Sequence, residues 1–183
     1  MIKMNNKKIL HRDIIIITEG KFDAMVLEKL FEKELFRINF QILPANGYSS
    51  ALSKVKSLLT FRDKEIILLL DTDTIETSEI RQKEDFVNSY ININLNKNNF
   101  KVFWAKPEFE IIFLNNNKFL IELTKTEINK DLLEFGKSSP KRLLETISRK
   151  KTEDYIALLD KKEIRDEFFK AGLIKEIYDY LNR

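Results

Sequence analysis

The chain has 183 residues, of which 43% are hydrophobic and 33% charged, the balance of a globular protein long enough to bury a core of its own. It has no cysteine and a single histidine, His11, which excludes disulfide frameworks, thiolate metal sites and cysteine nucleophiles and argues against a histidine-rich metal centre or a Ser-His-Asp triad. Any chemistry therefore falls to carboxylates and lysines, and a net charge of +3 permits nucleic acid as a partner without arguing for it.

The opening stretch MIKMNNKKIL is basic but lacks the apolar core of a signal peptide, so a cytoplasmic protein is expected. Asp13 to Thr18, with four consecutive isoleucines, reads as a strand covered on both faces. Residues 21–36 follow with Phe22, Met25, Val26, Leu30 and Phe31 at the spacing of one helical face. Ile38 to Leu43 predicts a second strand, closed by the turn Pro44-Ala45-Asn46-Gly47. Ser49 or Ser50 is placed to cap a helix with the stripe Leu52, Val55, Leu58 and Leu59.

Glu65 to Leu70 is a third strand, ending at Asp71-Thr72-Asp73-Thr74, and a helix is expected over about Ser78 to Tyr90. Phe100 to Trp104 supplies a fourth strand after the asparagine-rich stretch 92–99. The apolar runs Ile14–Ile17 and Ile66–Leu70 are far shorter than the ~20 residues of a membrane span.

Strands alternating with helices over 13–104 imply an α/β unit with a mainly parallel, four-stranded sheet. After Pro107 the pattern becomes helical, over about 108–123, 138–149, 151–159 and 161–182. No flexible linker separates the parts, so an α/β core over 1–106 and a helical extension over 107–183 packed on it are expected.

In an open α/β sheet, ligands sit beyond the carboxyl ends of the strands. Glu19 ends the first strand, Asp23 lies in the first turn of the helix after it, and Asp71 and Asp73 end the third strand. The i, i+2 spacing places Asp71 and Asp73 on one side of an extended chain. Such carboxylates repel one another unless a cation compensates them, and a hard ion such as Mg²⁺ takes oxygen donors of this kind. Taken singly the residues are ordinary: Asp23 suits a helix N-terminus, and D-x-D is a common tripeptide. Their combination, IIIITEGKFD, a glycine turn and then IILLLDTDT, is the distinguishing feature.

This combination resembles the TOPRIM domain, the metal-binding module of topoisomerases, DnaG-type primases, small ribonucleases and OLD-family nucleases. The resemblance assigns its glutamate to Glu19 and its DxD to Asp71 and Asp73, with PANGYSSAL as the intervening turn. FWAKPEFEIIFL and SSPKRLLETI resemble segments of small stand-alone OLD-like TOPRIM proteins, which makes Glu110, with Glu108 beside it, a further acidic candidate and Lys141 the match for a functional lysine. The implied fold is TOPRIM-like, with the helical extension completing the site.

The implied activity is a Mg²⁺- or Mn²⁺-dependent nuclease, with metal ligands among Glu19, Asp23, Asp71, Asp73 and Glu110. Lys141 would stabilise phosphoryl charge, with Lys137 as second candidate. DNA ranks ahead of RNA as substrate. An ATPase in trans is a partner this resemblance implies, as is a role in phage defence.

Lys137, Lys141, Arg142, Arg149, Lys150 and Lys151 stand against one acid, Glu145, and would meet nucleic-acid phosphates, although lysine-rich helices are commonly just solvated faces. GKSSP at 136–140 is not a P-loop, lacking the upstream glycine and preceding strand. Most of the phenylalanines read as core, and Trp104 and Tyr48 fit either a core edge or a stacking surface.

Two alternatives stand. LLLDTDT also fits the D-x-D-x-T of haloacid-dehalogenase-type phosphatases, with Asp71 as nucleophile, though that motif normally opens its fold and two strands precede it here. The other is a non-catalytic TOPRIM subunit of a DNA-processing complex.

Overall fold

A computed structural model of the chain describes residues 13–32, 38–60, 64–91, 99–148 and 152–183. Four parallel strands, β1 (Asp13–Thr18), β2 (Asn39–Pro44), β3 (Lys64–Asp71) and β4 (Phe100–Ala105), form one sheet in the order β2-β1-β3-β4. β1 pairs on both sides, with Ile16 opposite Ile42 on β2 and Ile67 on β3. The isoleucine run thus lies on an interior strand, where alternate side chains enter two different cores.

Ile14 and Ile16 join the side covered by α1 (Lys21–Leu30), whereas Ile15 and Ile17 join the side covered by α2 (Tyr48–Leu58) and α3 (Thr77–Ile91). None of the four is more than 5% exposed, and burial of each contributes roughly 2 kcal/mol.

The helices after β4 are α4 (Ile111–Leu114), α5 (Asn117–Thr124), α6 (Lys130–Gly136), α7 (Pro140–Ser148), α8 (Thr152–Leu158), α9 (Lys162–Phe168) and α10 (Gly172–Leu181). They pack on the α1 side of the sheet, where Phe109, Phe113, Phe119 and Phe168 share one cluster with Ile14, Ile16, Leu27 and Leu69. The architecture is the four-stranded parallel α/β sheet with packed helices that the sequence predicts. Among the described residues no helix is long and apolar enough to cross a membrane.

Helix boundaries differ from the periodicity in informative ways. The expected helix 108–123 breaks at Asn115-Asn116, because buried Asn116 accepts from the Phe119 backbone N–H at 2.9 Å and donates to the Ile164 carbonyl at 3.1 Å. One side chain therefore caps α5 and ties it to α9. The expected helix 161–182 divides before Gly172, whose φ of +74° is left-handed. α2 starts at Gly47, φ +93°, and neither Ser49 nor Ser50 is its N-cap. An unexpected helix, α6, begins where Asn129 Oδ1 accepts from the Asp131 N–H at 2.7 Å.

Gly136 ends α6 directly beneath α7. A Cβ there would lie 2.0 Å from Leu143 Cδ2 and 2.9 Å from Leu143 Cβ, so the two helices approach only because the side chain is missing. Gly136→Ala is expected to destabilise the fold by about 1–3 kcal/mol, lowering the thermal midpoint by roughly 2–4 °C per kcal/mol. An unchanged midpoint for the variant would contradict this helix contact.

Candidate active site

The loop after β1 is fixed before any charge is considered. Buried Thr18 donates from Oγ1 to the Gly20 carbonyl at 2.8 Å, and its own carbonyl accepts from the Ala45 N–H at 2.8 Å. The Glu19 carbonyl accepts from the Gly47 N–H at 3.1 Å, which binds the PANG turn after β2 to the end of β1. Glu19 is thereby anchored at the carboxyl edge, with its carboxylate accepting a long bond, 3.5 Å, from the Asp71 N–H.

β3 ends at Asp71, and the extended alternation ends with it. Asp73 has φ +56°, a left-handed conformation that aspartate tolerates better than most residues. Its N–H donates to the Pro107 carbonyl at 2.9 Å, while the Thr72 N–H donates to Ala105 at 2.9 Å and Thr72 Oγ1 to Thr74 at 2.7 Å. The backbone is thus no longer extended at Asp73, whose side chain pairs with Lys83 of α3, Nζ to Oδ2, at 2.5 Å.

Asp23 is buried and accepts from the Gly20 N–H at 3.0 Å, closing the first turn of α1. Glu110 is the N-cap residue of α4. Glu108, two residues earlier, accepts from the backbone N–H of Lys141 at 3.1 Å and so holds the start of α7 against the loop after β4.

These groups share one electrostatic field centred on Asp71. Burial first, then the charges of Asp23, Glu110, Glu19 and Asp73, push its carboxyl up to about 8 from 3.8. Burial also raises Glu19, opposed by the Asp71 N–H and reinforced by Asp73 and Asp23. Asp23 and Glu110 are raised chiefly by burial, and in both the Lys141 ammonium acts in the opposite direction. Lys141 is thus the cation facing the Asp23 and Glu110 side, and Lys83 the cation facing the Asp73 and Glu19 side.

The oxygen donors suit a hard divalent cation, whose charge would relieve the repulsion focused on Asp71. Among the described residues, however, no three acidic or imidazole side chains are gathered to hold a metal ion as they are placed. Several of these carboxylates are engaged locally: Asp23 with Gly20 N–H, Glu19 with Asp71 N–H, Asp73 with Lys83 and Glu108 with Lys141 N–H.

Of the other expected phosphate-contacting residues, Arg142 is exposed beside Lys141 on α7, and Lys137 is paired with Glu134 at 2.5 Å. Arg149, Lys150 and Lys151, like His11, lie outside the described residues. Trp104 packs on the α2–α3 side of the sheet as a core edge. Lys83 is the residue that sequence reasoning missed. Its only signal is position, in the helix that follows the DxD.

Asp71 gives the site a pH signature. Its folded pKa lies above its unfolded one, so the folded state binds the extra proton. That contribution to stability is complete below about pH 4 and is lost as pH rises through about 8. The thermal midpoint of wild type is expected to fall between pH 6 and 9, and Asp71→Asn to remove part of that fall and exceed wild type at pH 9. Because a divalent cation favours the ionised carboxyl, MgCl₂ should raise the wild-type midpoint more at pH 9 than at pH 6. Parallel pH profiles for wild type and variant would contradict the placement of Asp71.

No protein-family model matches the chain, and no curated protein matches it. Two solved structures of the C-terminal region of the OLD protein of Xanthomonas campestris pv. campestris are similar to it. One has 13% identity and a TM-score of 0.45, covering 94% of this chain and 97% of that one; the other has 15% and 0.38, covering 87% and 96%. These values assign no family, and the site is read from its own side chains.

Proposed function

We propose that the protein is a metal-dependent nuclease that cleaves phosphodiester bonds in nucleic acid, DNA ahead of RNA, with Mg²⁺ or Mn²⁺. The observation that carries this reading is the convergence on Asp71 of carboxylates from three other segments, Glu19 after β1, Asp23 in α1 and Glu110 before α4, with Lys141 acting on the same field. Glu110 and Lys141 come from the helical extension, so residues 107–183 complete a site begun by 1–106.

Glu19, Asp23, Asp71, Asp73 and Glu110 would supply the oxygen ligands. A bound divalent cation would provide Lewis acidity and a water acidified enough to act as nucleophile. Asp71 would serve as a ligand in its ionised form, and Asp73, now paired with Lys83, would do so only once free of that bond. Glu19, half-buried and anchored through its backbone, would be the carboxylate to accept a proton from an attacking water, if it does not act as a ligand. Lys141, held at the start of α7 by the bond from its N–H to Glu108, would place an ammonium against the charge that spreads over the phosphoryl oxygens. An ATPase in trans and a role in phage defence accompany this reading through the OLD-like sequence resemblance.

The phosphatase alternative has less support. It needs further acidic motifs at strand ends, whereas β2 ends in Pro44-Ala45 and β4 in Ala105-Lys106-Pro107.

The test is incubation of the purified protein with supercoiled plasmid, linear DNA and RNA, each with Mg²⁺, Mn²⁺ or chelator. Metal-dependent cleavage is expected, with Asp71→Asn and Asp73→Asn together abolishing it and Lys141→Ala lowering the rate about 10²-fold, the typical cost of losing one charge-stabilising donor. Identical products from wild type and the double variant would refute the proposal. Hydrolysis of p-nitrophenyl phosphate lost in Asp71→Asn, without nucleic-acid cleavage, would favour the phosphatase. Inertness on every substrate, with and without a co-purified ATPase, would favour a non-catalytic subunit.

A further inference from the structure

α2 and α3 lie side by side on one face of the sheet and both start at its carboxyl edge. Two lysine–aromatic pairs bridge them. Near the carboxylates, Lys83 Nζ of α3 stands 5.7 Å from the ring centroid of Tyr48, the first residue of α2. Farther out, Lys56 of α2 stands 4.9 Å from the ring centroid of Tyr90 on α3. Tyr90 in turn stacks on Phe86, with centroids 6.0 Å apart and planes inclined by 26°.

At a rise of 1.5 Å per residue the two pairs are about 11 Å apart along the helices. Lys83, Phe86 and Tyr90 recur at i, i+3 and i+7, which places them on one stripe of α3. Phe86 is 53% exposed, an unusual state for a phenylalanine within an ordered helix. α2 contributes Lys54 and Lys56 and no acid, whereas α3 carries Glu79, Glu84 and Asp85, of which Glu84 is drawn aside by Lys106 at 3.6 Å.

We infer that this stripe is a binding track for a single-stranded nucleic acid, which leaves the carboxylate edge past Tyr48 and Lys83 and crosses Lys56, Tyr90 and Phe86. Cations set beside an accessible aromatic ring are what an unpaired strand requires: ammonium groups meet phosphates, and the exposed Phe86 ring, continued by Tyr90, meets an unstacked base. A duplex hides its base faces in its own stack and gains only the phosphate contacts. The near end coincides with the carboxylates because the Lys83 ammonium that overlies Tyr48 also pairs with Asp73. The track is distinct from the α7 surface around Lys141 and Arg142. As a path leading to a cleavage site it rests on the nuclease reading, but as a binding surface it is tested separately.

The experiment is fluorescence anisotropy in chelator, so that nothing is cut, using a short labelled DNA single strand, the RNA of the same sequence and the matching duplex. Phe86→Ala is expected to weaken single-strand binding about 5- to 150-fold, the range for losing one base–aromatic stack, with a smaller effect on duplex. Lys56→Gln should lower the slope of log affinity against log salt by about 0.7 for single strands. Ile121→Ala, an exposed apolar position on α5, should bind as wild type, and all three variants should keep the wild-type thermal midpoint.

Wild-type affinity in both Phe86→Ala and Lys56→Gln would overturn the inference while leaving the nuclease reading untouched. Equal weakening of single strand and duplex by Phe86→Ala would also overturn it, since no base is then stacked. Selective weakening in a protein that cleaves nothing would sustain the track and refute the nuclease reading. Comparing the DNA and RNA strands identifies which sugar the track prefers.

Discussion

The constraint on which the structure turns is the burial of Asp71 within the field of other carboxylates. A carboxyl at the end of an interior strand, largely removed from water and in the field of Asp23, Glu110, Glu19 and Asp73, is unfavourable in its ionised form, and its pKa is raised accordingly. Burial is the largest cause of the penalty, and the neighbouring charges add to it. Arrangements that cost stability in this way cluster where a protein does chemistry.

Around this centre the fold supplies partners instead of distance. Backbone N–H groups take up Glu19, Asp23 and Glu108, and an ammonium takes up Asp73. The backbone donors belong to the ends of β1 and β3 and to the first turn of α7 where it meets the loop after β4. The sheet fixes the depth of the site, since the isoleucines of β1 and the leucines of β3 are closed in on both faces. The extension fixes its breadth, carrying Glu110 and Lys141 to the same edge from beyond the fourth strand.

Much of this was legible in the chain. β-branched runs of strand length, separated by helical stripes, identify a parallel sheet, and the β1 limits agree residue for residue because Ile14–Ile17 have no alternative use for their surface. Acids placed immediately after such runs must fall at the carboxyl edge, as Glu19, Asp23 and Asp71 do. What periodicity did not show depends on single tertiary bonds. Asp73 departs from the strand because its N–H finds Pro107, a partner 34 positions on. Asn116 breaks a helix because it finds Ile164, and α6 follows from a two-residue asparagine turn that carries no apolar period. Lys83 could not be picked out among 32 basic residues until Asp73 was seen beside it.

The shared apolar cluster has a consequence for how such a chain can be rearranged over evolutionary time. Phe109, Phe113, Phe119 and Phe168 from the helices lie in one continuous interior with Ile14, Ile16 and Leu69 from the sheet. The change of pattern at Pro107 is therefore a boundary in the text of the sequence and not in the folded object. A recombination joining the first half to a foreign tail would strip one face of the sheet of all cover but α1, and in the same event it would exchange Glu110 and Lys141. Exchange of the tail would therefore alter the packing of the fold and the carboxylate edge together.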